Sequence, residues 1–238
     1  MKRKPPPGNV RRIVSLGKNM RGITTNKMGQ IVQFESEQER KLILLLERDA
    51  SVMDYVSQPE TLIFTDAEGH RHKYTPDFKI WRMNGQIELH EVTVESRRCA
   101  RESLRIREAA AEAICRQRGW RYLVHTDLTL PMGNEYANLD FLSAFRASEY
   151  VTTETASWWQ AQLNHEPVHP QSVMLAAGTQ INTGQYLNGL YHLLWHGYVQ
   201  MDWQQLLIWR SHFHPQSRIW LATSPSRLRN PYWAEAQS

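Results

Sequence analysis

The sequence has little of what several protein classes require. Its 238 residues include only two cysteines, Cys99 and Cys115, which lie in one predicted helix, too far apart along its axis to form a disulfide. No uncharged apolar run reaches the roughly 20 residues that span a bilayer, and the first residues lack the apolar segment of a secretory signal. We therefore expect a cytoplasmic protein with free thiols and no membrane contact.

The motifs of several enzyme classes are missing as well. The chain contains neither a glycine-rich phosphate loop nor a G-x-S-x-G nucleophile elbow. Neither cysteine lies in a setting typical of an activated thiol. These absences argue against a P-loop nucleotide hydrolase and against a serine or cysteine hydrolase.

Acidic residues are absent from the first 34 positions, where all formal charge is basic. A flexible cationic arm most often contacts nucleic-acid phosphate, although a merely solvated tail is the alternative. From residue 151 onward basic and acidic residues are equal in number, and seven of the nine tryptophans lie there. This change in composition predicts a domain boundary near residue 150. The candidate DNA-binding residues of the arm are Lys2, Arg3, Lys4, Arg11, Arg12, Lys18, Arg21 and Lys27.

Two carboxylates approach each other across a predicted β-hairpin that runs from His72 to Val94. Asn84-Gly85 can adopt the positive φ angles of a two-residue turn, between runs rich in β-branched and aromatic residues. Asp77 follows a proline at a strand edge or bulge, and Glu91 interrupts an apolar row on the next strand. Carboxylates that converge in a half-buried sheet need a proton, a basic partner or a bridging cation.

Magnesium is the cation that such a pair favours, because it is typically held by one or two carboxylates together with substrate phosphate. The alternative is structural: Asp77 caps a turn while Glu91 pairs with Lys73 or Lys79 at the sheet margin. The hairpin alone leaves both interpretations open.

The segment before the hairpin begins with a predicted strand pair, Ile23 to Phe34. Ser36 and Glu39 then form a capping box ahead of a helix with a wide apolar face. Glu39 has two candidate roles, a return hydrogen bond to the Ser36 amide or a place in a functional site. One carboxylate is not expected to serve both at once.

Extended segments are predicted at residues 52–56 and 61–65. After the hairpin, Arg97 to Arg118 is predicted to form one long helix, and Arg121 to Thr126 returns as a strand. A strand, a helix and a strand in this order favour a parallel pairing with a right-handed crossover. The predicted apolar stripe of the long helix consists of Leu104, Ala109, Ala113 and Ile114.

This order of elements, with an acid on the first helix, Pro-Asp on one central strand and Glu on the next, resembles the restriction-endonuclease-like nucleases of the PD-(D/E)xK group. The motifs F-E-S-x-x-E-R, V-x-x-Y-x-x-Q-P, Y-T-P-D-F and E-V, between Phe34 and Thr126, are similar to those of TnsA-like endonuclease subunits of heteromeric cut-and-paste transposases. The resemblance implies an α/β fold in which a mixed sheet is flanked by helices.

The resemblance also implies a set of site residues. Glu39, Asp77 and Glu91 would hold magnesium, for which manganese would substitute, with Val92 as a further ligand. Thr93 completes the catalytic set but stands where the family usually has lysine. Because threonine offers a hydrogen bond but no charge, we expect a nearby base to supply the cation or the metal alone to suffice. The supporting residues are Asp49, Gln58, Lys73, Lys79 and Arg97.

The C-terminal part is predicted to be mainly helical and to span residues 151–238, after an arm at 1–34 and an endonuclease domain at 35–150. Gly184 to His196 places apolar residues on one helical face, and Tyr198 to Asp202 alternates as a strand. A helix followed by a short hairpin resembles a winged helix, and TnsA-like proteins carry such a domain, where it helps engage the ATPase partner. The absence of lysine in this part favours a protein contact over a phosphate contact.

The residues and the resemblance together predict a magnesium-dependent DNA endonuclease that hydrolyses a phosphodiester with metal-activated water. The resemblance implies cleavage of the 5′ strands at transposon ends. It implies three partners: double-stranded DNA, a TnsB-like DDE transposase subunit and a TnsC-like AAA+ ATPase. The rival interpretation is a catalytically inactive DNA-binding adaptor that recruits the ATPase, and Thr93 is the feature in its favour.

Overall fold

The computed structural model describes residues 21–178 and 183–223. The chain divides into two compact units, Met1–Leu130 and Pro131–Ser238. No helix among the described residues combines the length and the apolar character needed to cross a membrane. Most of the basic arm lies outside the described residues, namely Lys2, Arg3, Lys4, Arg11, Arg12 and Lys18.

The first unit combines strands and helices in an α/β arrangement. Its elements in chain order are β1 (Gly22–Thr25), β2 (Ile31–Phe34), α1 (Glu37–Arg48), β3 (Val52–Ser57), β4 (Leu62–Thr65), β5 (Arg71–Tyr74), β6 (Phe78–Arg82), β7 (Ile87–Val92), α2 (Glu95–Ala100), α3 (Glu102–Gln117) and β8 (Arg121–His125).

A four-stranded mixed sheet with strand order β3-β6-β7-β8 lies at the centre of this unit. β6 pairs antiparallel with β3 and β7, whereas β7 and β8 run parallel. The connection from β7 to β8 passes through α2 and α3, because parallel neighbours need a crossover rather than a tight turn. The mixed sheet, the central hairpin and the parallel pairing are thereby confirmed.

Two details of the predicted hairpin are wrong. Its first residues belong instead to β5, which pairs with β4 in a separate two-stranded hairpin. The turn is also wider than two residues, since Gly85 has a φ of 82° and Asn84 has no positive φ. Hydrogen bonds from Gly85 N to Arg82 O and from Arg82 N to Gln86 O close it.

Apolar clusters cover both faces of the sheet. On one face, Leu42, Ile43 and Leu46 of α1 pack against Phe78 and Ile80 of β6. Because side chains alternate along a strand, Leu89 of β7 faces the other side, where it packs with residues of α3 and the β4–β5 hairpin. Burial of each large apolar side chain contributes roughly 1.5–3 kcal/mol, so these clusters fix the helices on the sheet.

The single long helix predicted over residues 97–118 is wrong, because the chain breaks at Arg101 (φ −118°, ψ 106°) between α2 and α3. Ala109 and Ala113 are exposed. The inward face instead carries Leu104, Arg107, Ala111, Ile114 and Cys115, in agreement with a period of 3.6 residues. Both cysteines are free thiols, as predicted, but they lie on different helices.

The second unit places helices before short strands. Its helices and strands are α4 (Gly133–Ser143), α5 (Thr153–Gln162), α6 (Pro170–Ala176), α7 (Thr183–Trp195), β9 (Val199–Met201), β10 (Ile208–Trp209), β11 (His212–Phe213) and β12 (Ile219–Leu221). β9 pairs antiparallel with β12, and β10 with β11. The predicted helix and following strand are present, and the winged-helix assignment stays a prediction.

The division between the units lies before α4, whereas composition predicts the boundary near residue 150. Residues after α4 contact α7: the Phe145 carbonyl accepts a hydrogen bond from His192 Nδ1 at 3.0 Å, and the ring of Phe141 in α4 meets that of Tyr191 edge to face. Trp159 and Trp195 are fully buried in this unit. These contacts show that the tryptophan-rich core also includes the less aromatic segment before residue 150.

Candidate active site

A polar pocket of about 270 Å³ lies at the carboxyl end of β7. Two acids, Asp77 and Glu91, line it together with three arginines, Arg97, Arg101 and Arg107. Val92 and Thr93, at the end of the strand, complete this side of the pocket. The structure therefore brings five sequence-predicted site residues together: Asp77, Glu91, Val92, Thr93 and Arg97.

The backbone around Asp77 is fixed by two hydrogen bonds. Its carbonyl accepts from Gln58 N at 2.7 Å, and its Oδ2 accepts from Val92 N at 2.8 Å. Gln58 has a φ of 48°, a left-handed conformation that costs a non-glycine residue roughly 1–3 kcal/mol. The backbone of Gln58 thus ties the Pro-Asp segment to the end of β3, and Val92 N ties it to β7.

Glu91 is held by one donor on each oxygen. Oε2 accepts from the hydroxyl of Tyr74 at 2.6 Å, and Oε1 accepts from Nη2 of Arg107 at 2.5 Å. Neither Lys73 nor Lys79 is its partner, so the predicted structural alternative is wrong in that detail. Each carboxylate oxygen offers two acceptor positions, which leaves Glu91 able to accept a further bond.

Asp77 and Glu91 are also hydrogen bonded to each other. Burial and the charge of Glu91 raise the pKa of Asp77 well above its ordinary value. Burial raises the pKa of Glu91 too, against the opposing charge of Arg107. Because two buried carboxylates in contact repel each other when both are ionised, the pair favours a bound proton or a compensating cation.

Glu39 remains on the cap of α1. Ser36 Oγ accepts from Glu39 N at 3.1 Å, and the Glu39 carboxylate accepts from the Ser36 hydroxyl and from Glu35 N, both at 2.9 Å. The Glu39 carboxylate thus accepts its backbone hydrogen bond from the amide of Glu35 and not, as predicted for a capping box, from the amide of Ser36. Burial, together with the nearby charge of Asp77, raises the pKa of Glu39 to about 7.

The acids at the pocket offer oxygen ligands, the type that a hard metal ion prefers. Within residues 21–178 and 183–223, no group of three or more histidine, cysteine, aspartate or glutamate side chains is arranged to hold a metal. Asp77 and Glu91 suit magnesium as a pair, since buried carboxylates with raised pKa values exchange a proton readily for a cation. The structure brings two of the three predicted acids together and leaves Glu39 on its helix cap.

Three of the predicted supporting residues lie away from the pocket. Asp49 ends α1, where it accepts from Ser51 and pairs with Arg82. Lys79 Nζ lies 3.3 Å from Glu60 and 4.0 Å from the centroid of the Trp120 ring. Lys73 is exposed on β5. The ion pair with Arg82 explains the position of Asp49, and the ion pair with Glu60 together with the Trp120 ring explains the position of Lys79.

Two of the predicted DNA-binding residues, Arg21 and Lys27, fall within the described residues. Lys27 Nζ donates to the carbonyls of Asp49 and Val52 at 2.5 and 2.9 Å. Burial lowers the pKa of Lys27. Its ammonium is therefore committed to the fold, and the prediction that it contacts DNA is not supported by this geometry.

Sequence reasoning missed Tyr74 and Arg107. The signal for Arg107 was present, because it is spaced by three and four residues from Leu104 and Ala111 on the inward face of α3. A charged residue within an apolar stripe needs a partner, and Glu91 is that partner. Tyr74 had no comparable signal beyond its place shortly before Asp77.

The opposite face of β7 carries a second polar cluster, formed by Glu88, His90, His125 and Arg82. Glu88 Oε2 accepts from Arg82 Nε at 2.8 Å and lies 3.0 Å from His90 Nε2. His90 Nδ1 lies 3.0 Å from His125 Nε2. Glu88 and His90 are buried, Arg82 and His125 are partly buried, and none of the four lines the pocket.

The comparisons with known proteins concern the first unit. No curated protein matched the chain. The family model described as TnsA-like endonuclease N terminal matches residues 49–127, a range that contains Asp77, Glu91 and Arg107 and begins after Glu39. The match points to nuclease activity. This match supports a TnsA-like endonuclease N-terminal domain at residues 49–127.

Proposed function

We propose that this protein is a magnesium-dependent DNA endonuclease subunit of a transposase, which cleaves the 5′ (non-transferred) strands at transposon ends. The observation that carries the proposal is the buried, hydrogen-bonded pair Asp77 and Glu91 in a pocket with three arginines. Paired acids favour a divalent cation and arginines favour phosphate, so the pocket suits a metal-assisted reaction at a phosphodiester.

Asp77 and Glu91 would hold magnesium, with Val92 beside them at the end of β7, and manganese would substitute. When bound, the ion would orient the scissile phosphate and lower the pKa of the attacking water. Glu39 would join these acids only after it releases the Ser36 hydroxyl and the Glu35 amide. Its raised pKa supports this role, since an acid near Asp77 gains from added positive charge.

The chain's own residues would orient the reacting groups. Gln58 N and Val92 N hold Asp77, and the Tyr74 hydroxyl holds Glu91. Arg97 of α2 and Arg101 at its junction with α3 are exposed, and they would bind backbone phosphates. Hydrolysis adds the oxygen of water to phosphorus and breaks one backbone P–O bond, and the leaving oxygen takes up a proton.

The proposed partners follow from the resemblance to TnsA-like subunits. Double-stranded DNA at the transposon ends would be the substrate, and a TnsB-like DDE transposase subunit would cut and join the 3′ strands. A TnsC-like AAA+ ATPase would contact the second unit. The absence of lysine from residue 131 onward supports a protein contact there. We expect the isolated subunit to be nearly silent without these partners.

The second candidate function is a catalytically inactive DNA-binding adaptor. Two observations favour it: Glu39 remains on its helix cap, and Thr93 supplies no charge at the end of β7. As an adaptor, the protein would recruit the ATPase to the DNA, and the pocket would have no catalytic role.

Strand-resolved cleavage of transposon-end DNA, with the partners and magnesium, separates the two functions. We expect wild-type protein to nick the 5′ strands and Asp77→Ala to lose only those nicks. Glu112→Ala is the matched control, because Glu112 is an exposed acid of α3 outside the pocket and should cleave like wild type. Identical 5′ cutting patterns for wild type and Asp77→Ala would favour the adaptor.

A further inference from the structure

Arg107 reaches the acidic pocket from the middle of α3. Its Nη2 lies 2.5 Å from Glu91 Oε1, and its guanidinium carbon lies 4.5 Å from the centroid of the Tyr74 ring. The acid and the aromatic ring together fix the plane of the guanidinium. Arg107 is thus held in one orientation at the pocket wall, unlike a long side chain that extends into solvent.

The contacts of Arg107 leave a hydrogen-bond donor unused. Its Nε is buried and has no hydrogen-bond partner among the described residues. A buried donor without a partner costs roughly 1–3 kcal/mol, so its retention calls for an explanation. Because Nε has almost no accessible surface, a phosphate in the pocket would meet the guanidinium at its outer nitrogens, whose donors form a fork that matches phosphate geometry.

The other basic side chains predicted or found for this site are less suited to this task. Lys79 is engaged with Glu60 and Trp120. Arg97 and Arg101 line the pocket but are exposed, so water screens their charge. Thr93 is two residues beyond Glu91, shares its face of the strand and carries no charge. Arg107 of α3 is therefore the partly buried cation that contacts an acid of the pocket.

We infer that Arg107 binds the scissile phosphate and stabilises the negative charge that develops on its non-bridging oxygens during hydrolysis. The inference rests on the proposed nuclease function and assigns the positive charge of that site to α3 instead of the end of β7. A fixed cation beside developing charge is effective because little reorganisation is needed during the reaction.

Single-turnover cleavage by the full complex with magnesium tests the inference. Arg107→Ala should reduce 5′-strand cleavage by about 10²–10³-fold, the usual loss on removal of one preorganised donor. The double variant Thr93→Lys/Arg107→Ala should recover at least about tenfold, because a lysine at residue 93 enters the same pocket from the strand. Arg101→Ala is the matched control, and it should lose no more than about tenfold, mainly through weaker, salt-dependent DNA binding.

A second measurement does not depend on activity or on a metal. The ¹⁵N–¹H signal of Arg107 Nε in the wild-type protein is assigned by its loss in Arg107→Lys and followed in chelator during titration with transposon-end duplex. Direct contact with phosphate should shift this signal. Because the experiment uses wild-type protein, it stands even if Arg107→Ala fails to fold.

The outcomes separate this inference from the proposed function. Loss in Arg107→Ala, recovery with Thr93→Lys and a shifted Nε signal support the role of Arg107. Cleavage by Arg107→Ala within about threefold of wild type, while Asp77→Ala is inactive, overturns the role and leaves the nuclease intact. Loss without recovery, together with an unmoved signal, also overturns it, since a purely structural partner of Glu91 gives that result. Wild-type cleavage by Asp77→Ala would instead overturn the nuclease function itself.

Discussion

The two faces of β7 put acids into buried environments of opposite electrostatic character. Glu91 faces the pocket, where its contacts include a second acid, Asp77, as well as Arg107. Glu88 faces the other side of the sheet, where Arg82 lies at 2.8 Å and Arg121 at 3.5 Å. Alternation along the strand is enough to separate two carboxylates that are three residues apart.

The consequence is visible in their proton affinities. The hydrogen bond from His90, together with Arg82, lowers the pKa of Glu88 to about 2. Burial raises the pKa values of Asp77 and Glu91, and the charge of Glu91 raises that of Asp77 further. Arg82 and His90 compensate the buried charge of Glu88, whereas the crowded acids Asp77 and Glu91 mark a candidate functional site.

The largest expected effect concerns the pocket acids. Asp77→Asn removes a negative charge but keeps the side-chain volume, so we expect 5′-strand cleavage to fall by roughly 10³-fold while the protein stays folded. Thermal unfolding in chelator at pH 8 should show equal or higher stability, because a repulsive partner of Glu91 is lost. Lower stability combined with retained cleavage would place Asp77 with the structural acids.

Removal of the acid on the other face of β7, Glu88, should lower stability and leave cleavage unchanged. Glu88→Ala leaves the buried His90 without its acid and leaves Arg82 with Asp49 alone, and we expect a loss of about 1–3 kcal/mol in the free energy of unfolding. Urea unfolding measures this loss, and cleavage per folded molecule should be unchanged. A Glu88 variant that stays as stable as wild type but loses cleavage would reverse the assignment of the two faces.

The sequence was sufficient for the parts of the fold that depend on local pattern. Alternation and turn residues predicted β6 and β7, and the capping signal at Ser36 predicted the start of α1. The strand, helix and strand order predicted the parallel pairing of β7 with β8. The break at Arg101 was missed, because residues 97–118 contain neither proline nor glycine to mark it.

The sequence predicted those parts of the site in which residues of two paired strands are neighbours. Asp77 and Glu91 meet because their strands are paired in register. Glu39 was assigned by resemblance. Its carboxylate can either accept from the Ser36 hydroxyl and the Glu35 amide or turn toward the other acids, and helical periodicity does not determine which. Arg107 comes from a helix that crosses the sheet, so its contact with Glu91 depends on tertiary packing that no local pattern specifies.

The pH dependence of stability gives a third, smaller effect. A group whose pKa is raised on folding stabilises the protein below its unfolded pKa, and this contribution is lost as pH rises through the folded value. For Glu39, with a folded pKa of about 7, the loss falls between about pH 4.5 and 7 and amounts to roughly 1–3 kcal/mol. Glu88, with a pKa of about 2, contributes stability that is lost only below about pH 4.5.

Thermal unfolding in chelator between pH 5 and 8 measures this window. We expect the melting temperature of Glu39→Gln to rise relative to that of wild type as pH increases, because the variant has no carboxyl to ionise. Burial lowers the pKa values of His125 and His192 to about 4, and these groups act in the opposite direction below about pH 6.5 in both proteins, so the difference between the two proteins isolates Glu39. Magnesium should restore stability at pH 8, because a cation replaces the lost protons. Equal slopes for wild type and Glu39→Gln would contradict the raised pKa of this acid.

The smallest effect tests whether burial, rather than ion pairing itself, distinguishes these clusters. Arg116 and Glu112 form an exposed ion pair one turn apart on α3, at 3.1 Å, with side chains 76% and 62% exposed. Water screens such a pair, and Arg116→Ala should change the free energy of unfolding by less than about 0.5 kcal/mol. The same urea series that detects the large loss in Glu88→Ala serves as the measurement. A loss comparable to that of Glu88→Ala would mean that charge pairing stabilises this fold regardless of burial, and the contrast between the faces of β7 would then need another cause.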